Sequence, residues 1–376
     1  MSPPSSVVRR GRLLLLALLL LSATAFGARA ARTQEPAPAQ ELQQPSPTPT
    51  PSPSPTPSPT PTPTPDEAEE VYYRIDTDLT NVLLSATDKK RRFVTTLRAE
   101  DLRLTEDGVE QKIASFERET DAPLSLVLLV DTSASQEKVL QDEQEAASSF
   151  IRSVLRPTKD TAAVVSFTGI TRLEQPLTSA APFLLAAVNS LQVRWTDRSP
   201  ECNDRDAPDN MRLRCLTGVW DSIVLSVREV LSKTPERTRR AIILLSDGDD
   251  TSSRVRLYQA VEYASRYNTV VYAIGIRDKK FPYGEMRPDF LRSLAEATGG
   301  RAFFPKRPED LPTAFAQIEQ ELRAQYLITY IPTNRAHDGS YRRLQLDLTN
   351  PQLKKQNLRL SYRQGYYAKV TQNEER

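Results

Sequence analysis

The 376-residue sequence carries 50 Lys+Arg against 48 Asp+Glu, a net charge of +2 without a basic stripe, so nothing in it supports nucleic-acid binding. Its one histidine, His337, falls in the turn-like stretch from Asn334 to Ser340 and reads as an exposed loop residue, which argues against histidine-based catalysis and a histidine-ligated metal. The amino-terminal part is non-globular, leaving roughly 300 residues to build a core.

Arg9, Arg10 and Arg12 precede an apolar run of about 14 residues beginning at Leu13, roughly 21 Å as helix against a bilayer core of about 30 Å. Small residues lead on to Ala28-Arg29-Ala30, the cleavage pattern of a secretory signal peptide over residues 1–30. The chain is therefore expected to be exported (periplasmic, surface-bound or secreted) with no transmembrane segment after cleavage. Residues 31–69 form a linker in which every second residue from Pro45 to Pro65 is proline. Such a stretch cannot pack and adopts extended polyproline II, a spacer on the order of 65 Å. It either holds the folded part off a surface or is an inert linker.

Residues 70–122 have a period of two. Leu102, Leu104, Val109, Ile113 and Phe116 surround the turn Glu106-Asp107-Gly108, a hairpin signal, and Val82-Leu83-Leu84 and Phe93-Val94 supply further short strands. At the other end, residues 324–370 repeat the alternation at Leu344, Leu346 and Leu348 and at Leu358, Leu360 and Tyr362. Neither flank can close a sandwich alone, so the two are expected to pair into one small β-sandwich with an α/β domain, residues 123–323, inserted between them.

That domain opens with Leu124-Ser125-Leu126-Val127-Leu128-Leu129-Val130, an apolar run expected of a central parallel strand. Helices are expected at 137–155, with Glu137 in the first turn, and at 181–191, 218–231, 255–267, 288–297 and 309–323. Strands are expected at 162–167, 241–245, 269–276 and 301–304. Alternation of this kind implies a doubly wound, mostly parallel sheet.

The first strand ends in Asp131-Thr132-Ser133-Ala134-Ser135, which delivers one carboxylate and two hydroxyls to the edge where open α/β sheets bind ligands. Hard oxygens of this kind suit Mg²⁺, Mn²⁺ or Ca²⁺. Thr217 opens the helix at 218, and Ser246-Asp247-Gly248 ends the strand at 241–245, adding a hydroxyl and a second carboxylate. Taken singly, Thr217 reads as a helix cap and Asp247 as a solvated turn; their order in one doubly wound pattern is what points to a shared ion.

These residues resemble the von Willebrand factor type A (VWA) domain and its metal-ion-dependent adhesion site. Asp131, Ser133 and Ser135 match its D-x-S-x-S, Thr217 its threonine loop and Asp247 its third loop. Residues Leu102 to Phe116, Glu321 to Tyr326 and Gly365-Tyr366-Tyr367 resemble a secreted bacterial group of such proteins. The resemblance implies that serines and threonine hold the ion directly and the aspartates act partly through water. It also implies that an acidic residue of a protein ligand completes the ion's open face, and that helix 309–323 can shift when the site is occupied.

Cys202 and Cys215, in an exported chain, most simply form a disulfide two residues before Thr217, and the charged residues between them read as a stapled rim beside the metal that could select partners; a merely structural staple and two unpaired thiols are the alternatives. Trp220 reads as core packing of its helix, with Trp195 near the same edge, and Asp249 and Asp250 as a solvated acidic turn. The expected function is divalent-cation-dependent protein binding or adhesion, with a metal-stabilised envelope scaffold as the alternative. The sequence lacks G-x-S-x-G, H-E-x-x-H and Walker A patterns, so a hydrolase is the weakest reading and the chain is expected not to be an enzyme.

Overall fold

The computed structural model describes residues 79–118, 122–193, 216–235, 237–279 and 285–370. Strand β5 (Leu124–Asp131) is buried along its whole length. Val and Leu at consecutive positions demand apolar cover on both faces, and helices supply it. It pairs in parallel with β6 (Thr161–Phe167) on one side and with β8 (Arg239–Leu245) on the other. Beyond β8 lie β9 (Thr269–Ile274) and the short β10 (Ala302–Phe303), both parallel to their neighbours. Beyond β6 lies β7 (Thr171–Thr178), antiparallel, giving the six-stranded order β10-β9-β8-β5-β6-β7.

The alternate residues of β5 divide between two cores. Leu126, Leu128 and Val130 pack with α1 (Leu140–Val154), α2 (Ala181–Asn189) and α6 (Leu311–Arg323). Val127 and Leu129 pack with α3 (Val219–Glu229), α4 (Leu257–Arg266) and α5 (Pro288–Ala297). The doubly wound, mostly parallel sheet expected from the sequence is therefore present, with helices on both faces. β7 was not foreseen: its residues are half-buried or exposed and include Pro176, tolerable on an edge where the missing N–H has no ladder to serve. Helix α1 begins at Leu140 rather than Glu137, after a three-residue 3₁₀ turn at Ala134–Gln136, so Asp142 and Glu143, not Glu137, occupy its first turn.

The two flanks pair with each other. Strand β1 (Thr80–Thr87) lies between β11 (Tyr326–Tyr330) and β13 (Arg359–Tyr362), and β11 also pairs with β4 (Ile113–Arg118). The second sheet has the order β14 (Gly365–Tyr367), β12 (Tyr341–Leu348), β2 (Leu102–Glu106), β3 (Val109–Gln111). The β2–β3 turn places Asp107 and Gly108 at φ 49 and 83, the two positive angles that a two-residue hairpin loop requires. Residues of both flanks share one core, including Val82, Leu84, Leu104, Ile328, Tyr330 and Leu344. The stretch expected as a strand at Phe93-Val94 contributes only an isolated bridge, Thr87 to Phe93. A short helix α7 (Pro351–Lys355), capped by Asn350, joins β12 to β13. His337 is exposed, as expected.

The sandwich is tied to the α/β domain by buried polar contacts. Ser85 of β1 donates to Glu321 of α6 at 2.9 Å, and Arg301 pairs with the other oxygen of Glu321 at 2.7 Å. Only Ala324 and Gln325 separate α6 from β11.

Candidate metal centre

The chain runs from β5 to β6 and β7 on one side, then returns to β8 on the other. The strand order thus reverses between β5 and β8, the place where open sheets bind ligands. Asp131 ends β5 there, and Ser246-Asp247 follow β8 immediately. Both carboxylates are buried: Asp131 is 0 % and Asp247 3 % exposed.

Local geometry fixes each side chain. Asp131 accepts from the Ser133 N–H at 2.9 Å and from the Ser246 hydroxyl at 2.7 Å, so Ser246 joins the two strand ends. Ser133 and Ser135 hydroxyls lie 3.2 Å apart, and Gln136 Nε2 donates to Ser135 at 3.2 Å. The Ser135 hydroxyl also stabilises the ionised Asp247 carboxylate. The Asp278 N–H donates to the Ser135 carbonyl at 2.9 Å, pinning this loop from the end of β9. Asp131, Ser133, Ser135 and Asp247 are thus one connected cluster.

Thr217 stands at the same edge. The N–H of Gly218 donates to Thr168 at 2.9 Å, one residue past Phe167, the register partner of Asp131. Thr217 is also bonded reciprocally to the third loop: its N–H donates to Thr251 Oγ1 at 2.8 Å, and the Thr251 N–H to its carbonyl at 2.8 Å. That loop is strapped to α3 by two aspartates. Asp250 accepts from Val219 N–H at 2.7 Å and from the Ser253 hydroxyl at 2.5 Å, and Asp221 accepts from the Arg254 and Val255 N–H groups, each at 3.0 Å. Asp250 is therefore a helix cap, not the solvated turn residue expected; the helix N–H groups of Val219 and Trp220 that it accepts from lie about thirty positions away, beyond the reach of a local signal. Gly248 has φ +78, and a Cβ there would stand 2.8 Å from Leu291, so the sharp turn after Asp247 needs glycine.

Burial, and next to it the nearby Asp247, raises the Asp131 carboxyl to about 7. Burial also raises Asp247, against the lowering effects of the Asp249 N–H, the Ser135 hydroxyl and Arg277. Among the described residues, Arg277 is the cation that meets the pair, with Nε 3.9 Å from Asp247. Two carboxylates driven together out of water call for positive charge, and hydroxyls around them supply neutral hard oxygen. This donor set fits Mg²⁺, Mn²⁺ or Ca²⁺. Among the described residues there is no group of three or more His, Cys, Asp or Glu, so an ion here depends on Ser133, Ser135 and Thr217.

Trp220 is core, as expected: it is 5 % exposed and meets Phe290 edge-on at 6.3 Å. Phe290, half-open to solvent and covered by the Arg287 guanidinium at 4.6 Å, stands on the rim beside Asp247, whose carbonyl accepts from the Arg287 N–H at 2.8 Å. Cys202, Cys215 and Trp195 lie outside the described residues, as do residues 1–69 with the expected leader and linker. Among the described residues, no helix is long and apolar enough to cross a membrane.

No sequence-family profile matches the chain, and no curated protein matches it. Solved structures similar to it include a von Willebrand factor type A protein from Catenulispora acidiphila, 14% identical, covering 81% of this chain and 76% of that one with a TM-score of 0.44. An aerotolerance-related membrane protein from Bacteroides fragilis is 16% identical over 53% of this chain and 98% of its own, at 0.41. Proximal thread matrix protein 1 from the mussel byssus, with a zinc-occupied MIDAS motif, is 14% identical over 57% of this chain and 48% of its own, at 0.44.

Proposed function

We propose that the chain is an exported protein-binding module that works through a divalent cation. Asp131, Ser133, Ser135, Thr217 and Asp247 would hold the ion, Mg²⁺ or Mn²⁺ before Ca²⁺. The ion supplies a Lewis-acidic position for an oxygen ligand, and an Asp or Glu of a partner protein is the group that fills it. The observation carrying this reading is the convergence of two buried carboxylates from adjacent strand ends, with Ser246, the neighbour of Asp247, donating to Asp131. Phe290, Arg287 and the exposed Leu216 form the mixed apolar and basic rim that an acidic protein ligand would meet. The reading assigns no catalytic residue.

The burial of all five side chains favours one second reading, an ion that only stabilises the fold. Capture of a partner from native envelope or medium with Mg²⁺ or Mn²⁺, released by EDTA, separates the two. Adhesion requires that Asp131→Ala abolish the capture while the fold persists. Capture equal in EDTA and Mg²⁺ refutes it.

A further inference from the structure

Below the metal loops, the turns that follow Ser135 hold acceptors with nothing to accept. Both carboxylate oxygens of Glu143 and Oε1 of Gln136 are buried without a hydrogen-bond partner, in side chains that are 1 % and 0 % exposed. Among the described residues, these are the buried orphan side-chain atoms that carry no hydrogen in their ordinary ionised form. Unmet acceptors of this kind are costly to bury and call for a donor.

The two residues lie on one line. The Val139 N–H donates to the Gln136 carbonyl, and the Glu143 N–H to the Val139 carbonyl, each at 3.0 Å, which sets them two turns apart on the same side. At its upper end this line meets the metal loops, because Gln136 Nε2 donates to Ser135 at 3.2 Å. The Glu143 carboxyl is raised well above the usual range, by burial first and then by the fields of Asp131 and Asp247. The neighbouring cations serve other carboxylates: Arg277 stands against Asp247, and Lys138 pairs with Asp278 at 3.3 Å.

We propose that Glu143 and Gln136 are outer ligands of the cation centre, accepting hydrogens from water carried by a divalent ion at Asp131 and Asp247, and that Glu143 is the third negative charge setting the affinity for that ion. This rests on the reading of the centre given above. Water on a divalent ion is a strong donor and needs acceptors behind it, which the Glu143 carboxylate and Gln136 Oε1 provide. Gln136 serves twice, since the amide that presents Oε1 also donates to Ser135 and holds that hydroxyl in the loop. Three carboxylates in one field also favour a divalent over a monovalent ion.

The test is calorimetric titration of Mg²⁺ and Mn²⁺ into the full chain and its Glu143→Gln, Gln136→Leu and Glu145→Gln variants, each with a metal-free melting curve. Glu145→Gln removes an exposed charge from the same helix. We expect Glu143→Gln to weaken Mg²⁺ binding about 10- to 100-fold, Gln136→Leu to weaken it in the same direction, and Glu145→Gln to leave it unchanged. Glu143→Gln should melt, free of metal, no lower than the parent, because a neutral amide of the same shape replaces a carboxyl whose charged form burial disfavours. Unchanged affinity in Glu143→Gln overturns the proposal, and so does a fall in its metal-free melting temperature, which would make Glu143 part of the scaffold. Absence of any cation binding by the parent chain is a different result and refutes the centre itself.

Discussion

At the scale of single residues, the candidate centre is a place where stability has been given up. Asp131 and Asp247 are both raised by burial, and the pair repel one another. An acid raised in the folded state favours folding when protonated, so its contribution is fully present below the unfolded value and is lost as pH climbs through the folded one. For Asp131 that window runs from its model-compound value of 3.8 up to about 7. In EDTA the protein should therefore melt at a lower temperature at pH 8 than at pH 5, and saturating Mg²⁺ should remove most of the difference. Thermal melts across pH with and without Mg²⁺ check this; equal pH slopes would refute it. Asp131→Asn, which deletes one of the two charges, should raise the metal-free melting temperature and abolish the Mg²⁺ response. Gly248→Ala forces a side chain into Leu291 from a backbone angle that disfavours it, and should cost about 1–3 kcal/mol in chemical denaturation while weakening cation binding through displaced Asp247.

At the scale of elements, the β-sandwich depends on one buried polar cluster as much as on its apolar core. Glu106 of β2 pairs with Arg342 of β12 at 3.3 Å, both side chains 2 % exposed, and accepts from Tyr330 at 2.6 Å and Tyr366 at 2.9 Å. Arg342 spends its remaining donors on the carbonyls of Asn334 and Ala336, at 2.8 and 2.7 Å. The cluster ties an N-terminal strand to three C-terminal ones and sets their register. Glu106→Ala removes the buried acceptor shared by Arg342, Tyr330 and Tyr366 and leaves Asp338, at 3.6 Å, as the ion-pair partner of the guanidinium, a loss of roughly 1–3 kcal/mol, to be read as a lowered urea midpoint. Cation affinity should be unaffected, because the metal loops belong to other elements.

At the scale of the molecule, the α/β domain is inserted between two halves of a sandwich whose strands pair across the insertion. Removing residues up to 121 strips β11 of both its neighbours, β1 and β4, and β12 of β2. It also removes Ser85 from Glu321 at the end of α6. The truncated chain should keep the six-stranded sheet but lose dispersed amide signals from β11 to β14 and melt at a lower temperature. A fragment as stable as the parent would contradict this.

The alternation of apolar strands and amphipathic helices, the pairing of the two flanks and the order Asp131, Ser133, Ser135, Thr217, Asp247 were legible in the sequence, because periodicity and strand-end chemistry are local. Helix starts were legible only to within a few residues: Glu137 looked like a first turn, but the 3₁₀ turn after Ser135 delays α1 to Leu140. The edge strand β7 had no apolar rhythm to announce it, since an edge needs none. What tertiary structure decided was the company each residue keeps. Ser246 bonded to Asp131, Asp250 capping a helix about thirty positions away, and Glu143 left with two unmet acceptors in the field of Asp131 and Asp247 all depend on which chain segments meet. Hydrogen bonds and electric fields act across a few ångströms of space, and distance along the chain does not reveal them.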